Sequence, residues 1–422
     1  MKTKFTKLEK SWIAFDWANS VYATIMMAAI FPVYFTAIVN DISGNGDMWW
    51  ALGTFIATLT MAILAPIIGA IADYKGMKKK LLVFFLILGL GFTLFNAITD
   101  NWKLMLVGYI FSFIGFLGTN LIYDSFITDI TTKDRMDKVS AWGYAMGYFG
   151  GSTIPFLVSI GLIMTLDSKT IAVKISLIIA VVWWTIFSIP MLMNVKQKFF
   201  TEKKPGNIVI NTFKNIKSTM LDIWKEKRIL YFLIAYFFYI DGVNTVISMA
   251  TAYGASLGLD TTGMILALLV TQLVAVPFAI LFGRLANRFG SLNLILTAVF
   301  MYAFICILGF IMGLGIEEGF LSIEQALTLF WVLAILVGTS QGGIQALSRS
   351  YYGKLIPPER STEYFGFYDI FGKFAAILGP GLYSLVRITT GRSSLSILAI
   401  IFLFIIGGIF IIINKKNDRI TE

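Results

Sequence analysis

Twelve stretches of this chain are apolar for about 18 residues or more, the length a helix rising 1.5 Å per residue needs to cross a bilayer's hydrocarbon. They cover residues 12–39, 48–72, 81–98, 103–130, 139–164, 171–193, 229–252, 263–285, 292–313, 325–348, 366–388 and 394–413. Strands of a membrane β-barrel would instead alternate apolar and polar positions over about ten residues. The pattern predicts an all-α integral membrane protein with twelve transmembrane helices. The basic start MKTKFTKLEK is followed by an apolar run too long for a signal-peptide core and without an A-x-A site, so the first helix is expected to be retained.

The polar segments between these runs set the expected orientation. With both termini and the even-numbered connections on one side, that side holds 28 of the 34 Lys and Arg residues. The positive-inside rule makes it the cytoplasm. The longest connection, 194–228, is lysine-rich and contains Pro205-Gly206. It divides the chain into a bundle over 1–193, a cytoplasmic central loop and a bundle plus short tail over 229–422.

The two parts repeat each other, as three motifs in order show. Asp16-x-x-Asn19-Ser20-Val21 returns as Asp241-x-x-Asn244-Thr245-Val246, offset by 225 residues. Gly69-x-x-x-Asp73-x-x-Gly76 returns as Gly283-x-x-x-Asn287-x-x-Gly290, offset by 214. Gly118-Thr119-Asn120 returns as Gly338-Thr339-Ser340, offset by 220. A parallel repeat of two six-helix bundles follows.

Twelve spans as six plus six, the long middle connection and "GAIADYKGMKKKLL", with Gly69, Asp73, Gly76 and Lys78 to Lys80, resemble the major facilitator superfamily. "FDWANSVY", "YDSFITDITTKDRMDKVSAWGYAMGY" and "GGIQALSRSYYGKLIPPERSTEYFGFYDIFGKFAAILGP" resemble its vacuole-effluxer-like branch, best known for fungal amino-acid exporters of autophagy. The resemblance implies a major facilitator fold and a secondary transporter, an exporter of small polar solutes such as amino acids, with the substrate between two halves that rock around it. Sugars, organic cations or drugs are the alternative cargo on the same fold, and a non-transporting membrane receptor is the alternative of another class. In such transporters the loops carrying Gly69, Asp73 and Gly76 latch the inner face through ion pairs. Arg135 with Asp134, and Arg360 with Glu359, are assigned to the same latch. Asn287 stands where the superfamily pattern prefers Asp, so only the first-half loop is expected to run the full charge relay.

Charges inside the spans are costly and normally face a bundle interior or a water-filled cavity, which makes them the candidate chemistry. They are Asp16, Asp124, Asp241, Asp369 and Lys373. Twelve apolar or aromatic residues separate Asp241 from the start of its span at Ile229, about 18 Å of helix rise, and Asn244 shares its face. It reads as a proton or cation site, or as a hydrogen-bonded strut between helices. Asp16, with Asn19 and Tyr22, reads as a polar lining, or as a local cap or a partner of Lys10 or Arg349. Asp369 and Lys373, four residues apart, read as a substrate- or proton-exchanging pair or as a static one. Asp124, Gln341 and Gln345 occupy related places in the two halves and would coordinate a polar solute or bond helix to helix.

Composition narrows the remaining classes. The chain is 57% hydrophobic and 14% charged, and its net +10 follows topology rather than nucleic acid. It has no histidine and one cysteine, Cys306, so a His-ligated metal, a His proton shuttle and a disulfide framework are excluded. No G-x-x-x-x-G-K-[ST] loop supports ATP hydrolysis, and no nucleophile, metal set or cofactor motif supports an enzyme. Gly143, Gly147 and Gly151 are expected to bring helices close, and most aromatics to face lipid or the interface, with Trp49, Trp50 and Trp102 in the outer belt. The expected partners are a small-molecule substrate, the bilayer and protons. The expected setting is a monomer in a bacterial cytoplasmic membrane.

Overall fold

The computed structural model describes residues 4–202 and 208–421, so Pro205-Gly206 lie outside the described residues. The chain is a series of helices: α1 (Lys7–Tyr22), α2 (Phe31–Ser43), α3 (Gly46–Ala72), α4 (Met77–Ile98), α5 (Trp102–Ser125), α6 (Ile127–Ile130), α7 (Met136–Met146), α8 (Ile154–Thr165) and α9 (Lys169–Asn194). After the central connection come α10 (Ile208–Lys225), α11 (Lys227–Ser256), α12 (Thr261–Phe289), α13 (Ser291–Glu317), α14 (Ile323–Leu355), α15 (Ser361–Thr390), α16 (Ser393–Ala399) and α17 (Ile401–Thr421). Among the described residues, eleven continuous helical stretches are long and apolar enough to cross a membrane, and α15, 30 residues long, covers the remaining predicted span. The protein is an all-α integral membrane protein.

The first span begins earlier than its hydropathy. Thr6 and Glu9 form a capping box, with Glu9 N donating to Thr6 Oγ1 at 3.2 Å and Thr6 N to Glu9 Oε2 at 2.8 Å. Two otherwise unpaired donors are thereby satisfied, and the polar residues 7–11 enter the helix. Asp16 is therefore the tenth residue of its helix and Asp241 the fifteenth of its own, a closer match of depth than the apolar runs indicate. A π-helical turn, Ala23–Ala29, separates α1 from α2. The fifth span carries a second one, Gly147–Thr153. There Gly151 lets α1 approach so closely that a Cβ would lie 2.6 Å from Ser20 Cβ and 2.7 Å from the Trp17 carbonyl oxygen.

One expectation is corrected. The connection 194–228 is not all loop, because α10 occupies most of it, with Thr212, Thr219 and Ile223 buried and Phe213, Met220 and Trp224 exposed. A minority of the aromatics fills cores, and among them Trp12, Tyr22, Tyr109, Tyr123, Trp184, Tyr239 and Tyr302 are fully buried.

The chain forms two compact units. The first holds residues 1–135, 146–219 and 356–369, and the second holds 136–145, 220–355 and 370–422. Each unit thus contains a short segment from the other half of the sequence.

Candidate functional site

In the first unit, the turn between α3 and α4 is built around the start of α15. Gly69 has no room for a side chain, since a Cβ would lie 2.5 Å from the Thr362 carbonyl oxygen and 2.7 Å from Glu363 Cα. Gly366 is equally confined against Ala65 and Pro66. This approach lets the buried Asp73 carboxylate accept the backbone N–H groups of Thr362 and Glu363, both at 2.9 Å. Those are unpaired donors of a helix N-terminus, where the helix dipole also favours negative charge. Gly76, at φ +72°, makes the left-handed step into α4.

Lys78 follows and is fully buried. Its ammonium donates to Asp129 Oδ2 and to Ser361 Oγ, each at 2.8 Å. The other oxygen of Asp129 accepts the backbone N–H groups of Lys198 and Phe199 at 2.7 and 2.9 Å. Arg360 bonds to Glu363 at 3.4 Å, to the Asn215 carbonyl and to the Thr219 hydroxyl. The Arg135 guanidinium makes two 2.7 Å bonds to Glu9 and also feels the charge of the neighbouring Asp134 carboxylate. Glu9, fixed by the capping box, offers Arg135 both carboxylate oxygens.

Burial pushes the Asp73 carboxyl up to about 6, against the opposing pull of the Lys78 ammonium and of the Glu363 and Thr362 donors. A proton is therefore held more firmly here than in unfolded chain, where the carboxyl titrates at 3.8. The corresponding stabilisation, about 3 kcal/mol at most, is complete below pH 3.8 and is lost as pH rises through 6. Between pH 7 and 4.5 the thermal stability of the wild type is expected to rise relative to that of Asp73→Asn. Parallel unfolding temperatures over that range would show that Asp73 is not the titrating group.

The second unit has a counterpart built from other residues. Gly283 packs against Ala141 and lies close to the Asp137 carbonyl oxygen. Asn287 is exposed. The carboxylate is supplied by Asp137, on α7, which accepts from Ser350 Oγ at 2.6 Å, from Ser291 Oγ at 3.0 Å and from the Lys354 ammonium. Arg349 reinforces the same end, donating to Ser140 Oγ at 2.9 Å and to its carbonyl at 3.1 Å, with its guanidinium over the Tyr144 ring.

Inside the spans, Asp241 is fully buried, and Oδ2 accepts the Gly379 backbone N–H at 2.9 Å while Oδ1 faces the Thr245 hydroxyl at 3.4 Å. Among the described residues no cation pairs with it. Asn244 is half-buried one turn along. Asp369 and Lys373 are half-buried on α15, with the boundary between the units falling between them. In the first unit Asp16 is buried, and the Asn19 amide donates to Asn120 Oδ1. Tyr22 is sealed in the core, its hydroxyl 2.8 Å from Ser112 Oγ and its ring stacked on Phe116. Asp124 and Gln345 are half-buried, and Gln341 is buried on the wall of a cavity that Asp241 does not line.

Glu9, Asp129, Asp137 and Glu363 belong to these networks and escape the sequence reading. Glu9 is visible as the last residue of a T-x-x-E cap. Asp129 lies in the predicted span 103–130 and meets the rule that selected Asp124. Asp137 and Glu363 carry no local signal beyond an acidic residue near a helix start.

The chain matches the family described as vacuole effluxer Atg22 like over residues 51–420. It belongs to that family. It is similar to the MFS-type transporter YxiO of Bacillus subtilis, 43% identical over 418 residues and covering 96% of this chain and 94% of that one. Autophagy-related protein 22-2 of Aspergillus clavatus is 25% identical over 285 residues, covering 62% of this chain and 45% of the fungal one. Among solved structures, the proton:xylose symporter XylE matches with a TM-score of 0.73 at 13% identity, covering 96% of this chain and 94% of that chain. FucP matches at 0.69 and 13%, covering 96% and 98%. This Atg22-like chain therefore has the major facilitator fold and is a membrane transporter, not an enzyme.

Proposed function

We propose that this transporter exports small polar solutes, amino acids foremost, by alternating access driven by a proton gradient. The observation that carries the reading is Asp241: a fully buried carboxyl group on a membrane helix with two hydrogen-bond donors and, among the described residues, no cation. A charge in that position is expensive, and either a proton or an ammonium group arriving as cargo neutralises it. The exporter direction and the amino-acid class are supported by membership of the effluxer family. Asn244, Asp16, Asn19, Asp124, Gln345, Asp369 and Lys373 are the further polar residues proposed to serve the pathway. Tyr22 and Gln341, committed to a core and to a separate cavity wall, stand apart from it.

Gly69, Asp73, Gly76 and Arg360 are proposed to form a latch that opens once per cycle. The Asp73 bonds to the α15 N-terminus are short, few and lost together when the helix end moves. Arg135 is proposed to brace the start of α1 through Glu9. The distribution of lysine and arginine supports cytoplasmic termini, and the similarity to YxiO supports a bacterial cytoplasmic membrane. A monomer suffices for this cycle.

The test uses liposomes containing the purified protein and loaded with amino acids, nucleosides and sugars. A proton gradient is imposed in each direction and the solutes that leave are identified by mass spectrometry. Gradient-dependent loss of amino acids is expected. Loss of a different solute would replace the cargo, and loss of none would overturn the proposal.

A further inference from the structure

Helix α10 carries three different faces. Thr212, Thr219 and Ile223, spaced i, i+7 and i+11, form one stripe and are buried. Arg360 fixes the roll of the helix there, donating to the Asn215 carbonyl at 3.2 Å and to the Thr219 hydroxyl. The next stripe round the helix is Phe213, Met220, Leu221 and Trp224, spaced i, i+7, i+8 and i+11, and it is apolar yet exposed, Trp224 to 71%. Lys214, Ser218 and Lys225 follow on the third face, and Lys217 stands within the apolar one; all four are exposed. A single residue, Glu226, in extended conformation, separates α10 from α11, which begins at Lys227 and is long and apolar enough to cross the membrane. The end of α10 that carries Met220, Leu221 and Trp224 is thereby held at the bilayer boundary.

Four large apolar side chains in one exposed stripe forgo the gain of leaving water, and contiguous patches of this kind mark surfaces that something covers. Here the bilayer lies one residue away along the chain, whereas a protein partner would have to be recruited. Tryptophan and phenylalanine beside lysine are also what a helix lying in the interface plane needs: rings and aliphatic groups reach the acyl chains while the ammonium groups extend to the headgroups. With three lysines and one acid, Asp222, the helix is net positive. We propose that α10 docks on the membrane surface beside α11 through Phe213, Met220, Leu221 and Trp224, and that Lys214, Lys217 and Lys225 select acidic lipid headgroups there. The site involves neither the cargo nor Asp241, so its failure leaves the transport reading untouched.

The test places an environment-sensitive fluorophore on Met220→Cys, or on Ser218→Cys as the control from the polar face, in the full chain carrying Cys306→Ala and held at one chain per nanodisc. Quenching is measured with lipids spin-labelled near the top of the acyl chain. In discs of phosphatidylcholine with about 30% phosphatidylglycerol, the Met220→Cys label is expected to be quenched about threefold more than the Ser218→Cys label. In discs of phosphatidylcholine alone, about half of that difference is expected to be lost, because the electrostatic part of the attraction is gone. Replacing Lys214, Lys217 and Lys225 together by Gln is expected to make the two kinds of disc equivalent. Equal quenching of the two labels, quenching indifferent to phosphatidylglycerol, or a phosphatidylglycerol effect that survives the loss of the lysines would overturn the proposal. So would shielding of the Met220→Cys label that arises only with two chains per disc, which would assign the stripe to a second copy. The lipid comparison is made with the native lysines in place and does not depend on the folding of the glutamine variant.

Discussion

Asp241→Asn is expected to lower gradient-driven efflux about a hundredfold or more, the low end of what a positioned proton-transfer group contributes, while solute exchange across the same liposomes continues. Asparagine keeps the shape and an acceptor oxygen for the Gly379 N–H, which Asp241 now meets at 2.9 Å. It cannot take up or release a proton. The contact between α11 and α15 is therefore preserved and only the titratable step is removed, so the unfolding temperature should stay near that of the wild type. Asp241→Ala is a poorer experiment, because it strands the Gly379 donor at a cost of about 1–3 kcal/mol and opens space where Gly379 and Thr245 are closely packed. Driven efflux at wild-type rates in Asp241→Asn would eliminate Asp241 as the proton carrier. Loss of exchange together with driven efflux would assign it to cargo binding instead.

Lys78→Met is expected to destabilise the fold by about 3–5 kcal/mol, the cost of stranding one member of a buried ion pair. Both side chains of the Lys78–Asp129 pair are fully buried. Without the ammonium, the buried Asp129 carboxyl group keeps only the Lys198 and Phe199 N–H groups as partners. Adding Asp129→Asn should recover much of the loss, because the neutral amide still accepts from that loop. The contrast is Lys75, paired with Glu202 at 3.9 Å with both side chains mostly exposed, whose replacement by methionine should change little. Thermal unfolding of the four proteins in the same nanodiscs measures both expectations. A Lys78→Met protein as stable as the wild type would show that the pair does not hold the α4 start to α6 and Ser361.

The relation between sequence and site is clearest where the two halves diverge. Asn287 is exposed, and the buried acid of that region is Asp137 on α7, whose partners Ser291, Ser350 and Lys354 lie 154, 213 and 217 residues along the chain. Arg135 and Arg360 illustrate the same difficulty. Both bond carboxylates held in place by helix starts, Glu9 and Glu363, which adjacency in the sequence does not indicate. Gly69, Asp73 and Gly76 were legible because each answers a local demand: close approach, an acceptor at the end of a helix, and a positive φ. What they approach, the N-terminus of α15 at Thr362 and Glu363, was not.

The sequence by itself determined the membrane class, the approximate positions of the spans, the internal repeat, the family resemblance and the buried acid Asp241. Each of these is written in local hydropathy, local spacing or an ordered motif, and the cost of polar groups in hydrocarbon acts on each segment independently. Only the tertiary structure decided that α1 starts at Lys7, that Lys78 is paired with Asp129, that Asp137 gathers Ser291, Ser350 and Lys354, and that Gln341 is buried on the wall of an apolar cavity. Those depend on which side chains meet after the helices pack, and hydrogen-bond and ion-pair geometry over a few ångströms leaves no periodic trace along the chain.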